Sequence, residues 1–411
     1  MTTSLSPGQP DTAGPTRRPR TLLLVLTGSM LIDALEVSLV LPALPAIGRE
    51  LGLSPVGAPW LLGGFAAGFA AMLLLGPGCT ARWGRRRAYL VALAVFAAAS
   101  VVGALTHSAA LLIGTRVVKG ACAALTAPLG MAIITTAFPE GPARRRAVSV
   151  YTLVGAAGFT VGLLLSGALG DWRAALLLPG PVALALLLPA HRVLPRDGAG
   201  PAPRPRPALL AHGPLLRSAI GAATLNGTHL SLMLVLVLHL QEGRGLSPWQ
   251  CALALLPACL PLALAAPAGA GLVQRCGAPP LIALGAAAAT TGYALLLVRG
   301  EPGGYLSGQF PTLTLVGLAF VLSFTALHLH GVSGLAADDR AAAVPLYQTG
   351  VQLGAVLLPT TTGALLAAGG HRSALYLITG AGATGLLVAL AGLLPAFLSR
   401  APRTRASGKE R

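Results

Sequence analysis

Long runs of apolar residues follow one another along most of the chain and contain almost no charged side chains. A helix needs roughly 20 such residues to cross the hydrocarbon core of a bilayer. Short polar or Pro/Gly-rich segments separate the runs. The pattern predicts an all-α integral membrane protein with twelve membrane-spanning helices, at 21–46, 55–76, 88–106, 109–135, 148–169, 173–190, 217–240, 248–273, 279–298, 306–330, 341–367 and 373–398.

Composition favours the same class of protein. Of the 411 residues, 54% are hydrophobic and only 10% are charged, whereas charged residues make up about a quarter of an ordinary soluble domain. The number of cysteines, five, is odd, and no two of them form a C-x-x-C motif. We therefore interpret them as small packing residues and predict no metal site.

The net charge of +17 is explained by where the basic residues lie. With a cytoplasmic N-terminus, 22 of the 29 basic residues fall on the inner side, five on the outer side and two inside the membrane. Positive residues concentrate on the cytoplasmic side of membrane proteins. The bias therefore predicts that both termini are cytoplasmic and removes the need for a nucleic-acid partner.

Two weak internal repeats indicate a duplicated unit. The triplet RWG at 82–84 returns as RCG at 275–277, and the segment at 158–169 aligns without gaps with the segment at 354–365. Parallel six-helix repeats are typical of transporters that rock one half against the other. The predicted units are a disordered N-terminus (1–20), a first six-helix half (21–190), a cytoplasmic linker (191–216), a second half (217–398) and a basic tail (399–411).

Several motifs resemble the major facilitator superfamily, in particular its multidrug proton-antiporter branch. The segment PGCTARWGRRR at 77–87 is similar to that family's loop between helices 2 and 3, G-x-L-x-D-R-x-G-R-R, although Ala81 stands in place of the acid. The resemblance implies that this loop gates the cytoplasmic side. The matching residues are Arg82, Gly84, Arg85 and Arg86.

The fourth predicted helix resembles the family motif R-x-x-Q-G through Arg116 and Gly120, with Lys119 in place of the glutamine. In the first helix, MLIDALEVSLVLPALP places Asp33 on the acid of the antiporter motif D-x-T-x-x-N-x-x-L-P. Two features depart from the pattern. A short linker stands where the 14-helix members carry two further helices, and GLLLSG at 162–167 replaces G-P-x-x-G-G in helix 5.

Four charged residues are expected in the middle of the membrane. Asp33 and Glu36 are three positions apart and share a helix face, as do Arg116 and Lys119. Because helices 1 and 4 run in opposite directions, we expect Asp33 to face Lys119 and Glu36 to face Arg116. Desolvation disfavours an ionised carboxylate and a nearby cation favours it, so these acids are candidate proton carriers. The alternative is a static double salt bridge that orients the helices.

Other polar residues on candidate cavity helices are Asn226, His229, Gln348 and Gln352. The resulting prediction is a secondary transporter of the cell membrane, acting as a monomer and exporting amphipathic or cationic small molecules in exchange for protons. It needs no cofactor beyond the proton gradient. The altered helix 5 motif keeps an importer or facilitator open, and a membrane enzyme is an alternative that no catalytic motif supports.

Overall fold

The structure, a computed structural model, describes residues 17–54, 56–195, 204–299 and 304–398. Its regular secondary structure in these ranges is helical, and twelve helices are long and apolar enough to cross a membrane, which confirms the predicted number. They are α1 (Arg17–Leu51), α2 (Trp60–Trp83), α3 (Arg85–Leu105), α4 (Ala109–Ala137), α5 (Pro142–Leu169), α6 (Trp172–Val193), α7 (Gly213–Gly243), α8 (Pro248–Cys276), α9 (Ala278–Arg299), α10 (Gln309–Gly331), α11 (Ala337–Ala367) and α12 (His371–Leu398).

Three predicted segments lie partly or wholly outside the described residues. They are the disordered N-terminus up to residue 16, the linker at 196–203 and the basic tail at 399–411. The described part of the linker contains a short 3₁₀ turn, Pro207–Ala211.

Three helices contain a local break. Helix α6 is interrupted at Leu178, directly before a proline, and α8 passes through a 3₁₀ turn at Ala266–Ala268 that contains Pro267. Helix α7 ends in a π turn, His239–Gly243. Proline has no amide hydrogen and its ring clashes with the preceding turn, which accounts for the first two breaks.

Two predicted helix ends, at 46 in α1 and at 76 in α2, fall short of the observed ones. Helix α1 continues through Pro42 and Pro45 to Leu51, and α2 continues through Pro77 to Trp83. Neighbouring helices and local adjustments satisfy the backbone groups that a proline frees inside a membrane. The segment predicted as a loop at 77–87 is therefore mostly helical, and only Gly84 separates α2 from α3.

The helices pack as two groups of six. In the first group α1 packs on α5 and α6, α2 on α4, and α3 on α4 and α6. In the second group α7 packs on α11 and α12, α8 on α10, and α9 on α10 and α12. Helix pairs α2–α11 and α5–α8 join the groups. The domain boundaries at 190 and 217 stay a prediction.

The repeated glycines occupy equivalent places in the two groups. Gly84 has φ 77° and ψ 155°, and Gly277 has φ 80° and ψ 153°. Gly158 lets α5 approach α1, while Gly354 lets α11 approach α7, each so closely that an added Cβ would lie within 2.4 Å of a neighbouring heavy atom. The weak sequence repeat therefore corresponds to a repeated structural role.

The two ends of the bundle differ. We call the end at which α1, α3 and α7 begin the Arg-rich end, because Arg85, Arg86 and Arg217 lie there. At this end, α1–α6 have a separate apolar core that includes Leu22, Tyr89 and Ala190.

Towards the opposite end the two groups are joined. There a Cβ added at Gly63 of α2 would lie 3.5 Å from Cγ2 of Thr360 in α11, and Gly167 of α5 lies against the first turn of α8. The Gln241 side chain donates a hydrogen bond to the carbonyl of Pro42 (2.9 Å). Apolar residues of α1 at this end, such as Val40 and Ile47, belong to one core with residues of α7–α12. This conformation therefore holds the groups together far from the Arg-rich end.

Candidate functional site

Four charged side chains are buried midway along α1 and α4. Asp33 lies about 24 Å from the start of the 35-residue helix α1, and Glu36 about 28 Å from it, at 1.5 Å per residue. Glu36 and Arg116 have no exposed surface, Lys119 has 1%, and Asp33 keeps 6%. Charges in such positions are costly and are usually functional or paired.

Glu36 binds both cations. One carboxylate oxygen, Oε2, pairs with Nη1 of Arg116, and the other, Oε1, accepts from Nζ of Lys119 at 2.7 Å. Arg116 also donates from Nη2 to the backbone carbonyl of Glu36 (2.7 Å) and from Nε to the carbonyl of Leu61 in α2 (2.9 Å). Each of the three guanidinium nitrogens therefore donates a hydrogen bond.

Of the two ion pairs expected between α1 and α4, one forms and the other does not. Glu36 faces Arg116 as predicted, but Lys119 pairs with Glu36 and not with Asp33. The three-residue spacing places Arg116 and Lys119 on one face, only about 4.5 Å apart along the axis. Both side chains are long enough to converge on one carboxylate, which leaves Asp33 without a cation.

Asp33 is held by a hydroxyl group. Its Oδ2 accepts a hydrogen bond from Oγ1 of Thr126 at 2.6 Å. Thr126 was not among the predicted residues. It lies seven positions after Lys119 on α4, two helical turns along the same face, and that spacing is the signal that could have found it.

Aromatic rings and close helix packing surround the cluster. The guanidinium of Arg116 lies 5.2 Å from the ring centre of Phe65, and Nζ of Lys119 lies 5.8 Å from that of Phe96. A Cβ at Gly120 would lie 1.9 Å from the carbonyl oxygen of Phe65, so α2 and α4 touch backbone to backbone here. This glycine keeps both helices close enough for the contact between Arg116 and α2.

The two acids therefore have different environments. Both oxygens of Glu36 bind a cation, and the side chain has no exposed surface. Asp33 has a neutral donor and retains a small exposed surface. Glu36 joins α1 to α4 through its two ion pairs, whereas the role of Asp33 in proton exchange stays a prediction. No three His, Cys, Asp or Glu residues within the described ranges are placed to hold a metal ion.

The predicted gating residues lie at the Arg-rich end. Arg82 is exposed at the end of α2, and Gly84 forms the break before α3. Arg86 donates to the carbonyl of His191 at the end of α6, which ties α3 to α6 within the first group. Arg82, Arg85 and Arg86 form no ion pair with a described acid. Their role as a gate stays a prediction.

The predicted cavity residues fall into two kinds. His229 is buried between two rings, with centre-to-centre distances of 5.6 Å to Phe159 of α5 and 4.7 Å to Phe320 of α10. Because α5 and α10 belong to different groups of helices, His229 sits where the groups meet. Asn226, Gln348 and Gln352 are only partly buried. Their contribution to binding stays a prediction.

A second polar cluster, not predicted, fastens three helices at the end opposite the Arg-rich end. Arg173 in α6 pairs with Glu50 of α1 (Nη2 to Oε1, 2.8 Å) and donates to the carbonyls of Ala104 (2.6 Å) and Thr106 (3.0 Å) at the end of α3. The indole of Trp172 donates to the same carboxylate at 2.6 Å. This cluster lies within the first group and fixes its helix ends.

Comparison with known families and proteins gives a consistent result. Residues 26–333 match the family model described as Major Facilitator Superfamily. The cephamycin export protein CmcT of Amycolatopsis lactamdurans is 38% identical over 187 residues, which cover 45% of this chain and 37% of CmcT. The puromycin resistance protein pur8 of Streptomyces alboniger is 37% identical over 178 residues, covering 43% of this chain and 35% of pur8. The alignments thus span little more than a third of these relatives.

Two solved structures share the overall fold. The nucleoside transporter NupG superposes with a TM-score of 0.72 at 14% identity and covers 90% of this chain and 99% of its own. A bacterial homologue of the human lysosomal transporter Spinster, in an inward-facing and occupied conformation, gives a TM-score of 0.71 at 18% identity, covering 94% and 97%. At these identities the likeness concerns the fold alone.

Proposed function

Because the chain belongs to the major facilitator superfamily, we propose that it is a secondary exporter of amphipathic or cationic small molecules, driven by protons that flow inwards. Its twelve helices make it a multi-pass protein of the cell membrane. Relatives that align with it are named for cephamycin export and puromycin resistance, which favours export of natural products or drugs.

The observation that carries the proposal is the unequal neutralisation of the two buried acids. Glu36 binds two cations, whereas Asp33 meets only the Thr126 hydroxyl and keeps 6% of its surface exposed. An ionised carboxylate without a cation is costly in a dry site and stable in a wet one. Alternate wetting of the site from the two sides of the membrane would therefore load and unload a proton on Asp33.

The exchange follows from this chemistry. A proton that enters from outside neutralises Asp33, and the groups of helices rock so that the site opens at the Arg-rich end. We propose from the charge bias that this end faces the cytoplasm. There Asp33 loses its proton to water, and the free carboxylate attracts a cationic or polarisable substrate. The return movement carries the substrate out, and a new proton displaces it.

The same residues argue against the other functions. Asp33, Glu36, Arg116 and Lys119 include no activated nucleophile, so we propose a carrier and not a membrane enzyme. Residues for coupling lie within one chain, so a monomer suffices, and the proton gradient replaces a cofactor. An importer or facilitator of the same fold remains the competing function, because the GLLLSG segment at 162–167 departs from the export motif.

The experiment compares wild type with two single variants in a pump-deficient host that is exposed to a panel of toxic compounds, with and without a proton uncoupler. Asp33→Asn keeps the shape of the side chain but cannot carry a proton. Asp338→Asn makes the same change at an exposed acid on α11 that has no hydrogen bond, and serves as the matched control.

Export coupled to protons predicts resistance that the uncoupler abolishes in wild type and Asp338→Asn, and that is lost in Asp33→Asn at equal membrane levels. Uptake of a compound that the uncoupler blocks, without protection of the host, would establish the importer instead. Full, uncoupler-sensitive resistance in Asp33→Asn would show that Asp33 is not the proton carrier.

A further inference from the structure

A cavity opens at the end of the bundle opposite the Arg-rich end, where the two groups of helices meet. It has a volume of about 230 Å³, whereas a cavity of about 150 Å³ is enough to hold a benzene molecule. Leu44 of α1, which lines the cavity, lies roughly 16 Å beyond Asp33 along the helix axis. The cavity is therefore large enough for a ring-sized ligand and is separate from the Asp33 site.

Both groups of helices supply walls of this cavity. Residues of α1 and of the connection between α1 and α2 form one side, and residues of α7 and α11 form the other. Most of the lining is apolar, and Leu44 and Leu234 are each only 1% exposed. Close by, the hydrogen bond from Gln241 to the carbonyl of Pro42 joins α7 to α1. An apolar body in the cavity would therefore contact both groups at once.

Two opposite charges border the cavity, one from each group. Arg49 of α1 and Glu242 of α7 line it, and both side chains are exposed, so a ligand that enters from solvent can reach them. Neither of them forms an ion pair within the described part of the chain. Nε of Arg49 donates to the carbonyl of Pro45 (3.4 Å), and the neighbouring Arg244 donates to His239 (3.2 Å). One apolar space is thus bordered by a cation and an anion that do not neutralise each other.

We propose that this cavity binds a small zwitterionic amphipath, a molecule with one ring-sized apolar body, an ammonium group and a carboxylate. The apolar body leaves water and fills the cavity. The ammonium group pairs with Glu242, and the carboxylate accepts hydrogen bonds from the guanidinium of Arg49, whose fork matches it in shape. A ligand with only one charge would bring that charge close to a like charge at the cavity, which is unfavourable.

Such a ligand would select one conformation of the protein. It touches α1 on one side and α7 and α11 on the other, and these walls separate when this end of the bundle opens. A ligand shifts a conformational equilibrium towards the state that it binds more tightly. The zwitterion therefore holds this end closed. This consequence rests on the proposed transport cycle, whereas binding to the cavity does not.

The test measures thermal unfolding of the purified full-length protein in detergent during titration with four probes. Phenylalanine carries a ring and both charges. Phenethylamine keeps the ring and the ammonium group, hydrocinnamate keeps the ring and the carboxylate, and alanine keeps both charges without the ring. The comparison therefore separates the contribution of the apolar body from that of each charge.

Four variants assign these contributions to residues. Glu242→Gln and Arg49→Gln each remove one charge. Gly48→Leu fills the cavity, because a Cβ added at this lining glycine meets nothing within 4 Å and the larger side chain has open space to enter. Arg299→Gln is the matched control, because Arg299 is an exposed arginine at the end of α9, on the same side of the bundle but outside the cavity.

Phenylalanine should bind wild type and Arg299→Gln roughly tenfold or more tightly than alanine does, because its ring is buried. It should also bind more tightly than either singly charged probe. Glu242→Gln should weaken binding of phenylalanine and phenethylamine by up to about fivefold, the range of an exposed ion pair, and should spare hydrocinnamate. Arg49→Gln should weaken phenylalanine and hydrocinnamate and spare phenethylamine. Gly48→Leu should abolish binding of all three ring-containing probes.

Three results would overturn the proposal: no effect of phenylalanine on wild type, equal binding of phenylalanine and alanine, or unchanged binding in Gly48→Leu. Tighter binding of a singly charged probe than of phenylalanine would refute the zwitterion. In proteoliposomes, phenylalanine added outside should slow substrate exchange by wild type and not by Gly48→Leu, and binding without such slowing would refute the conformational consequence. The binding measurements require no transport, so a failed export assay is distinguishable from a failed site.

Discussion

Replacing Glu36 by Gln tests whether this acid holds the fold together. The carboxylate pairs with Arg116 and Lys119, and all three side chains are at most 1% exposed. The amide would leave two buried cations without an anion. Removal of one partner from a buried pair costs about 3–5 kcal/mol, which is a large part of the roughly 5–15 kcal/mol that stabilises a typical domain. We expect Glu36→Gln to lower the unfolding temperature strongly and to reduce the amount of protein in the membrane.

Asp33→Asn is the matched change three residues away on the same helix. Asparagine still accepts a hydrogen bond from Thr126 and leaves no cation unpaired, so its unfolding temperature should stay close to that of wild type. Proton coupling should be lost in Asp33→Asn although this variant is stable. In proteoliposomes Asp33→Asn should lose substrate-driven proton movement. Poor folding is thus expected in Glu36→Gln and poor proton coupling in Asp33→Asn.

A second substitution checks the reason for the instability. Lys119→Met in the Glu36→Gln background removes one of the two unpaired cations, while Arg116 keeps its bonds to the carbonyls of Glu36 and Leu61. Part of the lost unfolding temperature should return. If Glu36→Gln unfolds at the wild-type temperature, or if the double variant is less stable than the single one, the assignment of Glu36 to a structural role is wrong.

Three other changes have defined outcomes. Gly120→Ala should prevent folding or lower the unfolding temperature strongly, because its Cβ would meet the carbonyl of Phe65 at 1.9 Å, whereas Gly114→Ala on the same helix has open space and should be neutral. Thr126→Val should slow proton-coupled transport about tenfold or more through loss of the 2.6 Å bond to Asp33, and Thr126→Ser should retain it, as measured in proteoliposomes. Arg173→Lys should lower the unfolding temperature, because a single ammonium cannot replace a guanidinium that binds one carboxylate and two carbonyls; wild-type stability would contradict the assigned role.

The number and order of the helices followed from the sequence because each span must be long and apolar. Helix ends were less predictable. The second span was predicted to end at residue 76, directly before Pro77, but the helix continues to Trp83 and stops at Gly84, which has a positive φ. A proline removes one hydrogen bond of the helix, whereas a residue with φ near +77° leaves the helical backbone conformation and so ends the helix.

The buried charges show the same limit at the level of side chains. Axial spacing correctly brought Glu36 opposite Arg116. It could not decide which acid Lys119 reaches, because that depends on helix rotation and on a long, flexible side chain. Thr126 was overlooked because it carries no charge, although its position on the helix face of Lys119 was available from the sequence.

The sum of the four buried charges connects the site to the membrane potential. Glu36 and ionised Asp33 balance Arg116 and Lys119, so the cluster is neutral when Asp33 is empty and carries one positive charge when Asp33 holds a proton. A unit charge that crosses the whole membrane exchanges about 2.3 kcal/mol with each 100 mV. With Asp33 as the carrier, an interior-negative voltage acts on the proton-loaded cluster and not on the empty one. For a neutral substrate, voltage therefore acts only on the proton-loaded step of the cycle, and export is accompanied by a net inward current.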